Sequence, residues 1–216
     1  MKRGSGLQLT VPVAQPDPCV ATRERFDDGD AGITVLTSTA SEWDMSASVC
    51  GREPTLGCQP AMANKTKLKI KNRFDRDVLA WSWRNGVGTS SAMLADPTDT
   101  TDYTLCLYDA DGAVLQLSVP AGGTCNTRPC WTSTPSGYKY KNKELTPDGI
   151  SKLQLKSGGA GYGKIVSKAV GPLAPTALPL ALPARLQLRN SDGTCFEARF
   201  DGAVANEAER FRAVGY

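Results

Sequence analysis

The chain has 216 residues, with 25 basic and 22 acidic side chains, seven cysteines and no histidine. Histidine is the side chain that most often acts as a general base or completes a mixed zinc site near neutral pH, so its absence disfavours catalysis and we expect no enzyme activity, metal or cofactor. A net charge of +3 without an arginine-rich run disfavours nucleic acid as a partner, and no stretch is apolar over the roughly 20 residues that a membrane span requires.

Residues 1–64 are predicted to form an N-terminal extension that contains strands. MKRGSG at 1–6 has the basic opening of a secretory signal, but LQLTVPV at 7–13 follows it in place of a continuous apolar stretch. We therefore expect either that a signal has been removed or that the chain is a fragment of a longer protein. Strands are predicted at 7–13 and at 32–38.

Residues 65–216 are predicted to form an antiparallel β-sandwich of the immunoglobulin-like or jelly-roll-like kind. Short segments alternate apolar with polar residues, which places one face of each strand on a core and the other in water. Turn signals such as RNG, DADG and NSDG separate these segments, as is typical of an all-β fold. The alternating segments lie at 67–71, 79–83, 103–108, 113–119, 138–141, 152–156 and 185–189.

Two further segments depart from this pattern. GPLAPTALPLALPA at 171–184 contains prolines that cannot donate to a sheet ladder, and its leucines favour an extended path packed against the sandwich. AVANEAERF at 203–211 is the best helical candidate.

A pattern near the N-terminus resembles one near the C-terminus. LQL at 7–9 precedes Cys19, an arginine, a phenylalanine and DDG, whereas LQL at 186–188 precedes Cys195, an arginine, a phenylalanine and DG. The spacing is longer in the first copy, so chance similarity is an alternative. If the two are related, the chain opens with the tail of a preceding unit.

The cysteines indicate an oxidising compartment, and hence an extracellular or cell-surface location, because a chain of this size does not need cross-links merely to fold. Cys125 and Cys130 flank NTRP, and a disulfide between them would fix the shape of a short loop. Cys106 and Cys195 are both out of phase with the apolar faces of their strands. We predict that these two pair on the outer face, if their strands are neighbours.

The remaining cysteines are Cys19, Cys50 and Cys58. Cys50 and Cys58 enclose GREPTLG and are predicted to form a third disulfide. Cys19 is then left over, which indicates an intermolecular bond, a free thiol or a missing part of the chain. Reduced, buried thiols in a cytosolic protein are the alternative for all seven.

Aromatic side chains and a neighbouring lysine are the candidate ligand-binding residues. Exposed rings on a sheet stack on sugars, and lysines beside them would hold an acidic polysaccharide. A core role is favoured over binding, since Trp81 and Trp83 share a face with Leu79. The candidates are Trp81, Trp83, Trp131, Tyr138, Lys139 and Tyr140.

Aspartates are frequent between residues 96 and 111. Such oxygen ligands bind calcium, but aspartates in turns usually accept hydrogen bonds from nearby backbone N–H groups. Paired carboxylates would also serve glycoside hydrolysis without histidine, yet no pair stands out. We therefore assign no metal-ligating or catalytic residue.

Eight stretches carry a resemblance to a known kind of domain. They are CQPAM, KLKIKN, LAWSW, YTLCLYD, VPAGGTC, PCW, GYKYKNKELTPDGI and LQLRNSDGTCFEARF. Together they resemble a repeated domain of uncharacterised secreted proteins from environmental bacteria, over about residues 58–213. The resemblance implies export and modular repetition, and it carries over no activity, substrate or catalytic residue.

These observations favour a non-catalytic extracellular structural module. We expect a subunit or repeat unit of a surface protein or fibre, which self-associates by strand pairing, by disulfides or by both. The alternative is a carbohydrate-binding module of a secreted protein, whose partner would be a polysaccharide.

Overall fold

Period-two alternation produces a sandwich of antiparallel sheets, which confirms the predicted fold class. In the computed structural model, the described residues are 49–73, 76–173 and 178–216, and they belong to one compact unit. The strands predicted at 7–13 and 32–38 lie outside these residues, as does Cys19.

The described part of the chain is almost entirely strand. In chain order its elements are β1 (Gln59–Pro60), β2 (Thr66–Lys71), β3 (Asp77–Arg84), α1 (Ser91–Leu94), β4 (Tyr103–Asp109), β5 (Gly112–Val119), β6 (Thr124–Cys125), β7 (Arg128–Pro129), β8 (Trp131–Thr134), β9 (Gly137–Lys141), β10 (Ile150–Lys156), β11 (Lys164–Gly171), β12 (Ala184–Asn190), β13 (Cys195–Phe200), β14 (Ala205–Glu207) and β15 (Arg210–Gly215).

These strands form two large sheets. The five-stranded sheet has the order β1-β13-β12-β4-β5, and the eight-stranded sheet has the order β14-β15-β2-β3-β11-β10-β9-β8. β6 and β7 form a separate small hairpin. Strand β1 pairs with β13 in parallel, whereas the neighbours within the eight-stranded sheet are antiparallel.

The inward faces of the two sheets meet in one apolar core. Trp83 of β3 and Phe196 of β13 pack edge to face with ring centroids 5.6 Å apart. The Trp83 indole Nε1 also donates to the Glu197 carbonyl oxygen at 3.1 Å. Phe200 and Phe211 form a second edge-to-face contact, at 6.5 Å. Buried aromatic pairs of this kind join the sheets by apolar burial and by ring geometry.

The segment 203–211 is not the helix that its sequence predicts. β14 and β15 form a hairpin there, with Ala205 opposite Arg212. Phe211 and Ala213 alternate into the core, and each is at most 1 % exposed. Burial of these two side chains in a sheet overrides the local helical preference of the segment.

The proline-rich segment 171–184 packs against the sandwich, as predicted, in the part that the structure describes. Leu180 is buried, and the side chain of Asn206 bonds both its backbone N–H and its carbonyl, at 2.9 and 2.8 Å. Leu173 is buried as well. Residues 174–177 lie outside the described ranges.

We predict that Gly86→Ala destabilises the fold, whereas Gly88→Ala, two residues away, is nearly neutral. A Cβ atom at Gly86 would lie 1.7 Å from Cη2 of the buried Trp83 ring, so the ring must move, at a cost of about 1–3 kcal/mol. At Gly88 the nearest atom is the Ala160 backbone nitrogen at 3.7 Å, an ordinary contact. Urea unfolding of the oxidised protein measures both free energies, and equal values would contradict the packing of Trp83 on Gly86.

Candidate functional site

The outer face of the five-stranded sheet is covered by the N-terminal segment 49–60, which we call the strap. Its backbone crosses the strands and binds their outward side chains. The Cys50 N–H donates to Gln116 Oε1 at 2.9 Å, and the Thr55 N–H donates to Gln187 Oε1 at 3.0 Å. Gln187 Nε2 donates back to the Thr55 carbonyl at 2.8 Å. Gln187 Nε2 also donates to Glu197 Oε2 at 2.9 Å, so the strap and Glu197 together satisfy the fully buried amide of Gln187.

Two disulfides fix the strap at both ends, and their pairing differs from the predicted one. Cys50 is bonded to Cys106, and Cys58 is bonded to Cys195. The predicted pairs Cys106–Cys195 and Cys50–Cys58 are therefore wrong. The predicted placement of Cys106 and Cys195 on the outer face agrees with the structure, because both meet the strap there.

Strand order explains the error in pairing. β12 lies between β4 and β13, and Gln187 is opposite Cys106 on one side and opposite Glu197 on the other. Cys106 and Cys195 are thus two strand spacings apart, roughly 10 Å, which exceeds the reach of a disulfide. The extended strap instead carries Cys50 to β4 and Cys58 to β13.

The third disulfide agrees with the sequence prediction. Cys125 is bonded to Cys130 across the β6–β7 hairpin. Asn126 and Thr127 at its tip adopt positive φ angles of 49° and 68°. The bond closes only a short loop, so its effect is to hold this strained tip in place.

A groove opens between this hairpin and β9. Its volume is about 720 Å³. Lys139, Lys141 and Lys143 approach it from β9 and the residues after it, and Arg128 approaches from the hairpin. Glu144 is close by and accepts from the Asn126 N–H at 3.1 Å. The groove is therefore lined mainly by cations and by the Cys125–Cys130 bond.

The aromatic candidates belong to the core and not to a binding surface. Trp81, Trp83, Trp131 and Tyr140 are each at most 2 % exposed, so their rings are not available for stacking on a sugar. Trp131 packs on Tyr140, with centroids 5.2 Å apart. β3, β8 and β9 turn these side chains inward, which agrees with the core role that the sequence favoured over ligand binding.

Tyr138 and Lys139 are the candidates that reach the surface. Tyr138 is half-buried and packs against the core, whereas Lys139 is exposed and lines the groove. Burial raises the pKa of the hydroxyls of Tyr138 and Tyr140 above the ordinary value. Both tyrosines thus stay protonated at neutral pH.

The aspartates bind nearby backbone. Asp96 Oδ1 accepts from the Thr98 N–H at 2.9 Å, and Asp102 Oδ1 accepts from the Ala121 N–H at 2.7 Å. Asp109 uses both oxygens in the same way. Across residues 49–73, 76–173 and 178–216, no group of three or more cysteine, aspartate or glutamate side chains is arranged to hold a metal ion.

The fold and its cross-links define a class of protein, namely an all-β sandwich of the extracellular type with three disulfides. None of the family models, curated proteins or solved structures compared with the chain matches it. Among the helices in the described ranges, none has the length and apolar character needed to cross a bilayer.

We predict that non-reduced peptide mapping recovers Cys50 with Cys106 and Cys58 with Cys195. Trypsin cleaves after Arg52 and so separates the two strap cysteines, while cleavage before Asp109 separates Cys106 from the short loop. In a digest with trypsin alone, the expected product for Cys58–Cys195 joins peptide 53–65 to peptide 190–199; added cleavage before aspartate also cuts at Asp192 and shortens the second peptide to 192–199. A peptide that joins the two strap fragments to each other would contradict the structure.

Proposed function

We propose that this chain is a non-catalytic extracellular structural module, a unit of a surface protein or fibre. The observation that carries the proposal is where its two long-range disulfides lie. Cys50–Cys106 joins residues 56 apart and Cys58–Cys195 joins residues 137 apart, and both begin on the strap. Tension between Val49 and Tyr216 therefore passes through the Cys58–Cys195 bond and bypasses the chain between these two cysteines.

This arrangement suits a module that bears load. The core residues of β2, β3, β4 and β12 all lie between the two bonded cysteines, so tension cannot extend their strands while the bond is intact. A native disulfide usually stabilises a fold, but a bond placed between the first described segment and a late strand also shields the chain between its two cysteines from force. A secreted enzyme or a free binding domain has no need of such shielding.

Modular repetition is the second part of the proposal. The N-terminal pattern at 7–28 corresponds to the β12–β13 hairpin, in which Cys195 is bonded to a strap cysteine of its own unit. By this correspondence, Cys19 would be bonded to the strap of a neighbouring unit. The resemblance to repeated secreted domains supports the same interpretation.

Self-association is tested with the full chain. We expect covalent multimers in non-reducing electrophoresis and elongated particles in negative stain, both of which are lost in the Cys19→Ser variant. A strictly monomeric protein, unchanged by deletion of residues 1–40, would refute self-association through this segment.

The carbohydrate-binding alternative loses the aromatic platform that was predicted for it, because Trp81, Trp83 and Trp131 are buried. What supports it is charge, namely the lysines that line the groove beside β9. Binding by stacking on neutral sugars is therefore not proposed.

We predict that the length of chain released by mechanical unfolding depends on the Cys58–Cys195 disulfide and not on the Cys50–Cys106 disulfide. The full chain is pulled by its termini in single-molecule force spectroscopy. In a variant with both Cys58 and Cys195 replaced by alanine, the force passes through Cys50–Cys106 instead. The two disulfides join residues 137 and 56 positions apart, and the difference between these separations is the extra chain released. The unfolded length should therefore grow by about 280 Å.

The matched control is the variant that lacks Cys50–Cys106. Because Cys58–Cys195 still carries the load, the released length should stay at the value of the oxidised parent. Equal lengths in the parent and in the variant without Cys58–Cys195 would refute the shielding of the sandwich.

A further inference from the structure

The outer face of the eight-stranded sheet carries many cationic side chains. Strands of the KLKIK type alternate lysine with apolar residues, so the fold that buries the apolar set places the lysines on the opposite face. Uncharged residues such as Ala80, Ser82 and Gln154 lie between them. We call this surface the basic face. Its cations, all exposed or half-buried, are Lys67, Lys69, Lys71, Arg84, Lys139, Lys141, Lys152, Lys156, Lys164, Lys168, Arg210 and Arg212.

Register brings these cations into rows across the strands. Lys168 is directly opposite Lys152, and Lys152 is directly opposite Lys141. In a second row, Lys164 is opposite both Arg84 and Lys156. Like charges that face each other across a ladder destabilise a sheet. Burial, together with the charges of Arg84, Lys152 and Lys156, lowers the pKa of Lys164 below its ordinary value.

Little negative charge compensates this surface within the part of the chain that the structure describes. Glu207 is the one carboxylate at the outward positions of the sheet, on the edge strand β14, where it pairs with Arg210 at 3.3 Å. The other described ion pairs involve Arg185 and Arg199, on the five-stranded sheet. Repulsion between the cations of the basic face is therefore not balanced by neighbouring carboxylates. A surface with this distribution of charge is suited to bind a polyanionic ligand.

We propose that the basic face binds an acidic polysaccharide, with the groove beside the Cys125–Cys130 hairpin as one end of the path. Lys141 belongs both to the central row and to the groove, so the two surfaces are continuous. Carboxylate or sulfate groups of the polymer would lie along the rows and replace the missing counter-charges.

The character of the face favours a polysaccharide over other polyanions. Its cations are mainly lysines, whereas arginine is the usual choice for phosphate and nucleic acid. The rings of the same strands, Trp81, Trp83 and Tyr140, point into the core, so the face offers no platform for bases. Neither does it present a large apolar side chain to insert into a lipid surface; Val214, at 39 % exposure, is the most exposed apolar residue on it.

The test compares a double variant of the face with a matched control on the full chain. Lys152→Gln with Lys168→Gln removes two of the three charges of the central row and leaves Lys141. Arg52→Gln with Arg185→Gln removes the same charge from the strap side, where both arginines line a separate cavity. The probes are polygalacturonate, which carries only carboxylates, and dextran sulfate, which carries only sulfates, so they distinguish carboxylate from sulfate recognition; unmodified dextran is the neutral comparison.

We expect both acidic polymers, or one of them, to bind in low salt and dextran not to bind. The face variant should weaken binding by roughly tenfold, since charge-driven association falls steeply with each lost contact, and the control variant should not. The thermal midpoint of the face variant should hold or rise, because repulsion from Lys141 is relieved. This midpoint separates lost binding from lost folding.

Three results would overturn the proposal. They are absence of binding to both acidic polymers, equal weakening in the two double variants, and tighter binding to duplex DNA or to phosphatidylglycerol vesicles than to either polysaccharide. The mechanical experiment does not depend on any of these outcomes.

Discussion

The structure depends on the attachment of the strap to the outer face of the five-stranded sheet. Cys50–Cys106, Cys58–Cys195 and the paired hydrogen bonds between Thr55 and Gln187 act at three points along one segment. They seal β4 on both faces, which leaves residues 103–108 buried without alternation. A strand that is buried on both sides is usual in parallel sheets, and here a covalently fixed segment takes the place of covering helices.

The outer faces of the two sheets differ in exposure and in charge. The five-stranded sheet hides its outward glutamine and cysteines under the strap, whereas the eight-stranded sheet leaves rows of lysines open to solvent. Both arrangements arise from the same alternation of residue types. Covalent attachment is thus found on one outer face and repulsion between like charges on the other, where we propose that a polyanionic partner binds.

Much of the fold could be predicted because a period of two is a local signal. It located the strands around Lys69, Trp81 and Leu153, and it placed Cys106 on the outer face. The pairing of cysteines, by contrast, depends on the order of strands in the sheet, which no spacing in the sequence reveals. In that order β12 separates Cys106 from Cys195. The basic face was not predicted, because the net charge of the chain sums over all its surfaces and hides a cluster of cations on one of them. Lysines at every second position of several strands were nevertheless a visible signal.

The lengths of the edge strands set what kind of assembly the sheets themselves can form. β1, β14 and β8 have two, three and four residues, too few to template another chain, while β5 has eight. A unit with a single edge available for pairing can add only the same edge of a second copy. Such a contact is self-complementary, so it forms a dimer and leaves no free edge for a third copy. For the strands within residues 49–73, 76–173 and 178–216, sheet pairing would therefore not give open-ended growth and would determine only how two such chains lie side by side.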